Sequence, residues 1–310
     1  MKRSAIAWIV IASVVVSASV QGGTLALVLA NDRTSSFAAI GDEADSEVGD
    51  NTDSGVSDGS GVEYIADDPW EPLYFYDDPD LGPVDSYWVD EFGDLEPRPV
   101  HRSTEEHVWH TFTRVATPTF AAKVIVEYIV GDAPDADLWA YVLKNDDTDY
   151  WTLAVNLDVA EYPDELVPTL VHEYAHLLSL GRGEIDQTTD AAACATISLW
   201  EGCLRDTSMM WAFHQRFWAD AAGAPAPEND DWELADAYYL GHEDEFVSDY
   251  AAMNVVEDFA ESFMIFVLEC APTDSSVASA KINFFAEYPL LVAARERIRA
   301  EFGAELGFIP

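Results

Sequence analysis

The chain has 310 residues, 49% of them hydrophobic and 12% aromatic, which is enough apolar material for one sizeable core. Its 58 acidic residues outnumber 15 basic ones, and the formal net charge of −43 argues against nucleic acid or an anionic membrane surface as a partner, because both carry phosphate. Two settings suit such a charge: a protein kept soluble in high salt, and an ordinary acidic secreted enzyme.

In chain order, Lys2 and Arg3 precede an apolar run from Ala5 to about Val20. Val16-Ser17-Ala18 offers a small-residue cleavage pattern, and Leu29-Ala30 a second. The stretch up to Ala30 is also long enough for an uncleaved span. Residues 1–30 are therefore expected to be a signal peptide or membrane anchor. The rest of the chain is expected outside the cell or at its surface, with membrane contact only through that anchor. Residues 31–97 read as an acidic low-complexity linker. Its first part, to about residue 62, has too few apolar side chains to order itself. Its second part, 63–97, carries Tyr64, Trp70, Tyr74, Phe75, Tyr76, Tyr87 and Trp88, and is expected to drape over the domain or to act as a pro-segment.

The domain proper is expected at 98–310. Ser103-Thr104-Glu105-Glu106 has the form of a capping box and predicts a helix to about Ala116. Strands are predicted at Lys123 to Val130, Leu138 to Leu143 and Trp151 to Leu157, separated by Asp-rich and Pro-containing turns. A helix from about Asp164 to Leu180 ends at Gly181. An irregular region, 182–206, comes next, then a short aromatic helix at Ser208 to Trp218. A helix is predicted from Val255 to Cys270, and two more flank Pro289. No C-x-x-C pair exists, so cysteine ligation of a metal is disfavoured. A Cys194–Cys203 disulfide closing a short loop is expected in an exported chain, with Cys270 left over and buried at the end of its helix.

The chemistry centres on His172-Glu173-Tyr174-Ala175-His176. Histidines at i and i+4 lie on one helix face, one turn apart, so both rings reach one metal ion. A catalytic zinc needs three protein ligands and an open position for water. Glu173, directly after the first histidine, is placed to take a proton from that water. The third ligand is sought in Asn254-Val255-Val256-Glu257-Asp258-Phe259-Ala260-Glu261, where Glu257 and Glu261 are again i and i+4. One carboxylate can bind zinc and the other can accept a hydrogen bond from the far nitrogen of a ligand histidine. A competing reading makes Asn254 a helix cap and Glu257 its capping-box partner. His214 and His242 are rival third ligands, and His242 also reads as an additional oxyanion donor. His101, His107 and His110 read as decoration of the first helix.

This pattern resembles the gluzincins, in which a Glu replaces the third His of a zincin. It is most similar to the peptidase domain of anthrax lethal factor and to secreted bacterial relatives, over roughly residues 145–270. The resemblance implies Glu257 as the third zinc ligand and Glu261 as the acceptor behind a histidine. Tyr250, seven positions before Glu257, would donate its hydroxyl to the developing oxyanion. It also implies an α+β fold, with a small mixed β-sheet packed on the active-site helix and a mostly helical C-terminal subdomain. One departure is that His176 and Glu257 stand 81 positions apart (257 − 176), a long insertion for the family.

The function expected is that of a zinc-dependent metallopeptidase, a monomer acting on peptide or protein substrates. The acidic surface would favour basic peptides, and the Trp151 to Leu157 strand would edge the cleft and pair with the substrate backbone. The alternative is a catalytically silent zincin-fold module that binds partners at a surface.

Overall fold

The computed structural model describes residues 76–307, apart from 79, 137, 146 and 147. The expected signal or anchor at 1–30 and most of the acidic linker lie outside the described residues. The described part is α+β. Its main sheet contains β1 (Tyr76–Asp78), β2 (Gly82–Val89), β3 (Leu95–Glu96), β4 (Ile125–Gly131), β5 (Ala140–Lys144) and β6 (Trp151–Asn156). The strand order is β1-β2-β4-β6-β5, with β3 also pairing β2. Pairing is antiparallel except between β4 and β6, so the sheet is mixed.

Period-2 alternation sorts the strand residues between the two faces. Tyr128 and Val130 of β4, with Leu153 and Val155 of β6, enter the main core, while Ile129 and Ala154 join Leu81, Val84 and Leu138 in a smaller cluster. Every residue of β6 is buried, because it is paired on both sides and covered on both faces. Trp151 to Leu157 therefore does not edge the cleft as expected. The terminal strand on that side of the sheet is β5, which lies beside the helix carrying His172.

Residues 76–96 supply three strands, with β2 internal and paired to β4 over five positions. The folded unit thus begins before residue 98, and the aromatic side chain of Tyr87 is built into the core rather than laid over it. The acidic and proline content of this stretch concealed its strands.

Helix α1 (Thr104–Ala116) starts at Ser103, whose hydroxyl accepts from Glu106 N. Helix α2 (Pro118–Val124) takes up residues expected at the start of a strand. Thr117 caps it and Pro118 occupies its first turn, where a missing N–H costs nothing, so β4 begins two residues late at Ile125. Helix α3 (Pro163–Ser179) follows β6. The region expected to be irregular holds a three-stranded sheet, ordered β7 (Ile185–Asp186), β9 (Gly202–Leu204), β8 (Ser198–Leu199). Gly202 adopts φ +135° at the β8–β9 turn, and a Cβ there would lie 2.7 Å from Ile185 Cγ2. A Cys194–Cys203 disulfide, with Cα atoms 5.6 Å apart, ties this hairpin to the preceding loop.

The C-terminal part is helical: α4 (Met209–Phe217), α5 (Trp232–Tyr239), α6 (Val255–Leu268), α7 (Val277–Phe284) and α8 (Pro289–Phe302). All fourteen residues of α6 are buried, against α3, α4, α7 and α8. It ends at Leu268, two residues short of the expected Cys270. Arg299 caps the end by donating to Val267 O, Leu268 O and Glu269 O, and the chain turns outward. Cys270 is consequently an exposed free thiol, not a buried one. No helix among the described residues is long and apolar enough to cross a membrane.

Candidate metal centre

Helix α3 begins with Pro163 in its first turn and Asp164 and Glu165 beside its positive end. Its apolar residues Leu166, Leu170 and Leu177 enter the core and drag the histidine face inward with them. His172, Glu173 and His176 are all buried. Helix α6 lies alongside, started by Asn254, whose Oδ1 accepts from Val256 N at 2.8 Å and Glu257 N at 3.0 Å. Asn254 is thus a cap, as one reading held. Glu257, however, is no capping-box partner. Its carboxylate turns away from the cap toward the histidines.

Three ligand atoms converge between the helices. His172 Nε2 lies 3.0 Å from His176 Nε2 and 3.1 Å from Glu257 Oε2, and His176 Nε2 lies 3.4 Å from the same oxygen. His172, His176 and Glu257 form a buried group that could hold a metal ion. Glu257 Oε1 is buried with no hydrogen-bond partner among the described residues, an open acceptor that a cation would satisfy.

The opposite ring nitrogen of His172 is also engaged. Its Nδ1 lies 2.9 Å from Glu261 Oε1, and Ser248 Oγ donates to Glu261 Oε2 at 2.6 Å. Ala251 N donates to the same serine oxygen at 3.0 Å. With Glu261 accepting from Nδ1, loss of the Nε2 proton would leave the lone pair of His172 directed at the cluster. Burial opposes a charge on His172, but hydrogen bonds to Glu257 and Glu261 and their negative charges push it up to about 10. Burial likewise opposes a charge on Glu257, yet the His176 charge and the His172 hydrogen bond hold it down at about 2. In both cases the surroundings are built for positive charge at the centre and a carboxylate beside it.

Tyr250 sits in a short 3-10 turn before α6, buried, with its ring 5.9 Å from that of His172 and stacked on Trp232 at 5.5 Å. The rival histidines stand elsewhere. His214 stacks on Trp211 at 5.4 Å in α4. His242 stacks on Tyr238 at 4.1 Å, with Nδ1 2.8 Å from the Tyr238 carbonyl oxygen. His107 and His110 are exposed on α1, and exposed His101 precedes it, paired with Glu106.

One neighbour of the centre had no signal in the sequence. Glu201, on the β8–β9 turn, lies within electrostatic reach of His176 and Lys144. Burial first, and the charge of Glu228 second, raise its carboxyl above the usual range. Glu228 itself accepts from Trp200 N. This turn belongs to the small second sheet, whose two- and three-residue strands leave too little pattern to read. No family model, curated protein or solved structure matches this chain.

Proposed function

We propose that this chain is a zinc-dependent metallopeptidase of the gluzincin kind, with His172, His176 and Glu257 holding the ion. The observation that carries the reading is the meeting of two histidines from α3 with Glu257 from α6, backed by Glu261 on the far nitrogen of His172. Ligands in a zinc tetrahedron with bonds of about 2.0–2.1 Å stand roughly 3.3–3.4 Å apart. The three separations here are 3.0, 3.1 and 3.4 Å, so the donor set fits the ion in size as well as in chemistry. Zinc bound by these three residues would supply Lewis acidity and bring the pKa of bound water toward neutrality.

The remaining work falls to the protein. Glu173, fixed between the two histidines on one buried helix, is the general base. Its carboxylate takes the proton of the attacking water and passes it to the departing amine nitrogen. Tyr250, next to His172, offers its hydroxyl to the oxyanion that forms on the peptide carbonyl. Glu261 and Ser248 keep His172 in one tautomer throughout. The Cys194–Cys203 disulfide supports an oxidising, exported setting for the molecule.

The purified protein should contain about one zinc per chain by elemental analysis. Glu173→Gln should keep the zinc while losing about 10²–10⁴-fold in hydrolysis of a mixed peptide library. A Glu173→Gln variant with full turnover would sink the mechanism. Zinc with no cleavage by the unaltered protein would favour the silent binding module instead.

A further inference from the structure

Beside the metal centre lies a second buried charge cluster that the proposed reaction does not use. Lys281 Nζ of α7 lies 2.7 Å from Asp258 Oδ2 of α6, and their side chains are 2% and 0% exposed. Trp218 Nε1 donates to the same oxygen at 2.7 Å, and Ser262 Oγ donates to Asp258 Oδ1 at 3.2 Å. The lysine ammonium sits 3.6 Å above the centre of the Phe246 ring. Lys281 is one of four lysines in the chain, with Lys2, Lys123 and Lys144.

Stability alone does not account for such a pair. Taking two charges out of water costs several kcal/mol per ion, and well-packed apolar replacements are often as stable or more so. What the pair adds is direction. Helix α6 is buried on every side, and directional hydrogen bonds such as those to Asp258 fix its rotation about its own axis more narrowly than apolar contacts do. Asp258 immediately follows Glu257, so its anchor points about 100° away from the ligand around the same axis. A roll of 20° moves an atom about 5 Å from the axis by roughly 2 Å, whereas metal bonds hold their lengths to about 0.2 Å.

We infer that Asp258 and Lys281, with Trp218, are positioning residues that set the rotation of α6 and so aim Glu257 at the metal. This rests on the metal-centre reading above. It concerns aim rather than ligation, since neither residue touches the cluster.

The test uses the full chain stripped of metal, with cobalt(II) as a spectroscopic probe and zinc affinity read by chelator competition. An Asp258→Leu/Lys281→Met double variant replaces the pair by apolar side chains. Its apo form should melt close to the unaltered protein, while zinc binds about 10–100-fold more weakly and the cobalt absorption bands shift. Trp218→Phe keeps the ring and removes one hydrogen bond to Asp258, and should move both readouts the same way by less. Unaltered spectra and affinity in the double variant would show the pair to be packing and overturn the inference. Should the double variant not fold, an unaltered Trp218→Phe would overturn it equally. If the parent protein itself binds neither metal, the metal-centre reading fails, and the inference falls with it.

Discussion

Asp274 stands fully exposed ahead of α7, yet its carboxylate collects three donors. Ser276 Oγ, Ser279 Oγ and Ser276 N all bond to Oδ1, at 2.6, 2.7 and 2.9 Å. These bonds favour the ionised form and hold the carboxyl down at about 2, from an ordinary 3.8. The folded value lies below the unfolded one, so the contribution to the start of α7 is present above about pH 4 and is lost as pH falls toward 2. Carbon-13 NMR of the Asp274 carboxyl should show a midpoint near 2, and a midpoint at 3.8 would contradict the arrangement. Among individual residues, those whose task is local could be read directly. Ser103 caps α1 and Asn254 caps α6 because side chain and target amides are two or three residues apart. His172 and His176 share a face for the same reason. Lys281 and Glu201 could not be read that way. Their meaning depends on partners, Asp258 and His176, that only the tertiary fold supplies.

Elements divide along a similar line. Helices α1, α3, α4 and α6 were legible because caps, a proline or a long apolar pattern mark them. The short strands were not. Tyr76–Asp78 and Leu95–Glu96 have no apolar alternation of their own and exist because β2 offers them a ladder. β6 is internal to the sheet although it was expected at an edge, since pairing order is a property of the whole sheet. The β8–β9 hairpin depends on a covalent tie. Its cysteines are nine positions apart, and a closed loop of that size removes about 2–3 kcal/mol of unfolded-state entropy. A Cys194→Ser/Cys203→Ser variant should therefore melt roughly 5–10 °C lower. It should also loosen the turn carrying Glu201. An unchanged melting curve would mean that the hairpin opens without disturbing the rest.

For the molecule as a whole the dominant physical fact is a net charge of −43. Several of its few cations are spent on surface pairs, including Arg114 with Glu301 and Glu305, and Arg216 with Glu287. Such pairs contribute little each, about 0–1 kcal/mol. The uncompensated acids repel one another, and salt weakens that repulsion as the screening length falls from about 10 Å at 0.1 M to 3 Å at 1 M. The melting temperature should rise by roughly 5 °C or more over that range of sodium chloride. A flat response would show that the acids are spaced widely enough not to matter, as in the ordinary secreted enzyme.

The contacts from His172 to Glu257 and Glu261 join residues 85 and 89 positions apart. They close only when α3 and α6 pack together, and that packing is carried by the buried apolar side chains of the two helices. Small domains that fold around their metal have no structure until it arrives. Here both helices bury apolar faces of their own in a large core. An ion held at the proposed centre would be a guest in a scaffold that other contacts hold together. The supply of metal around the mature molecule, rather than the history of its folding, would then decide when it is switched on.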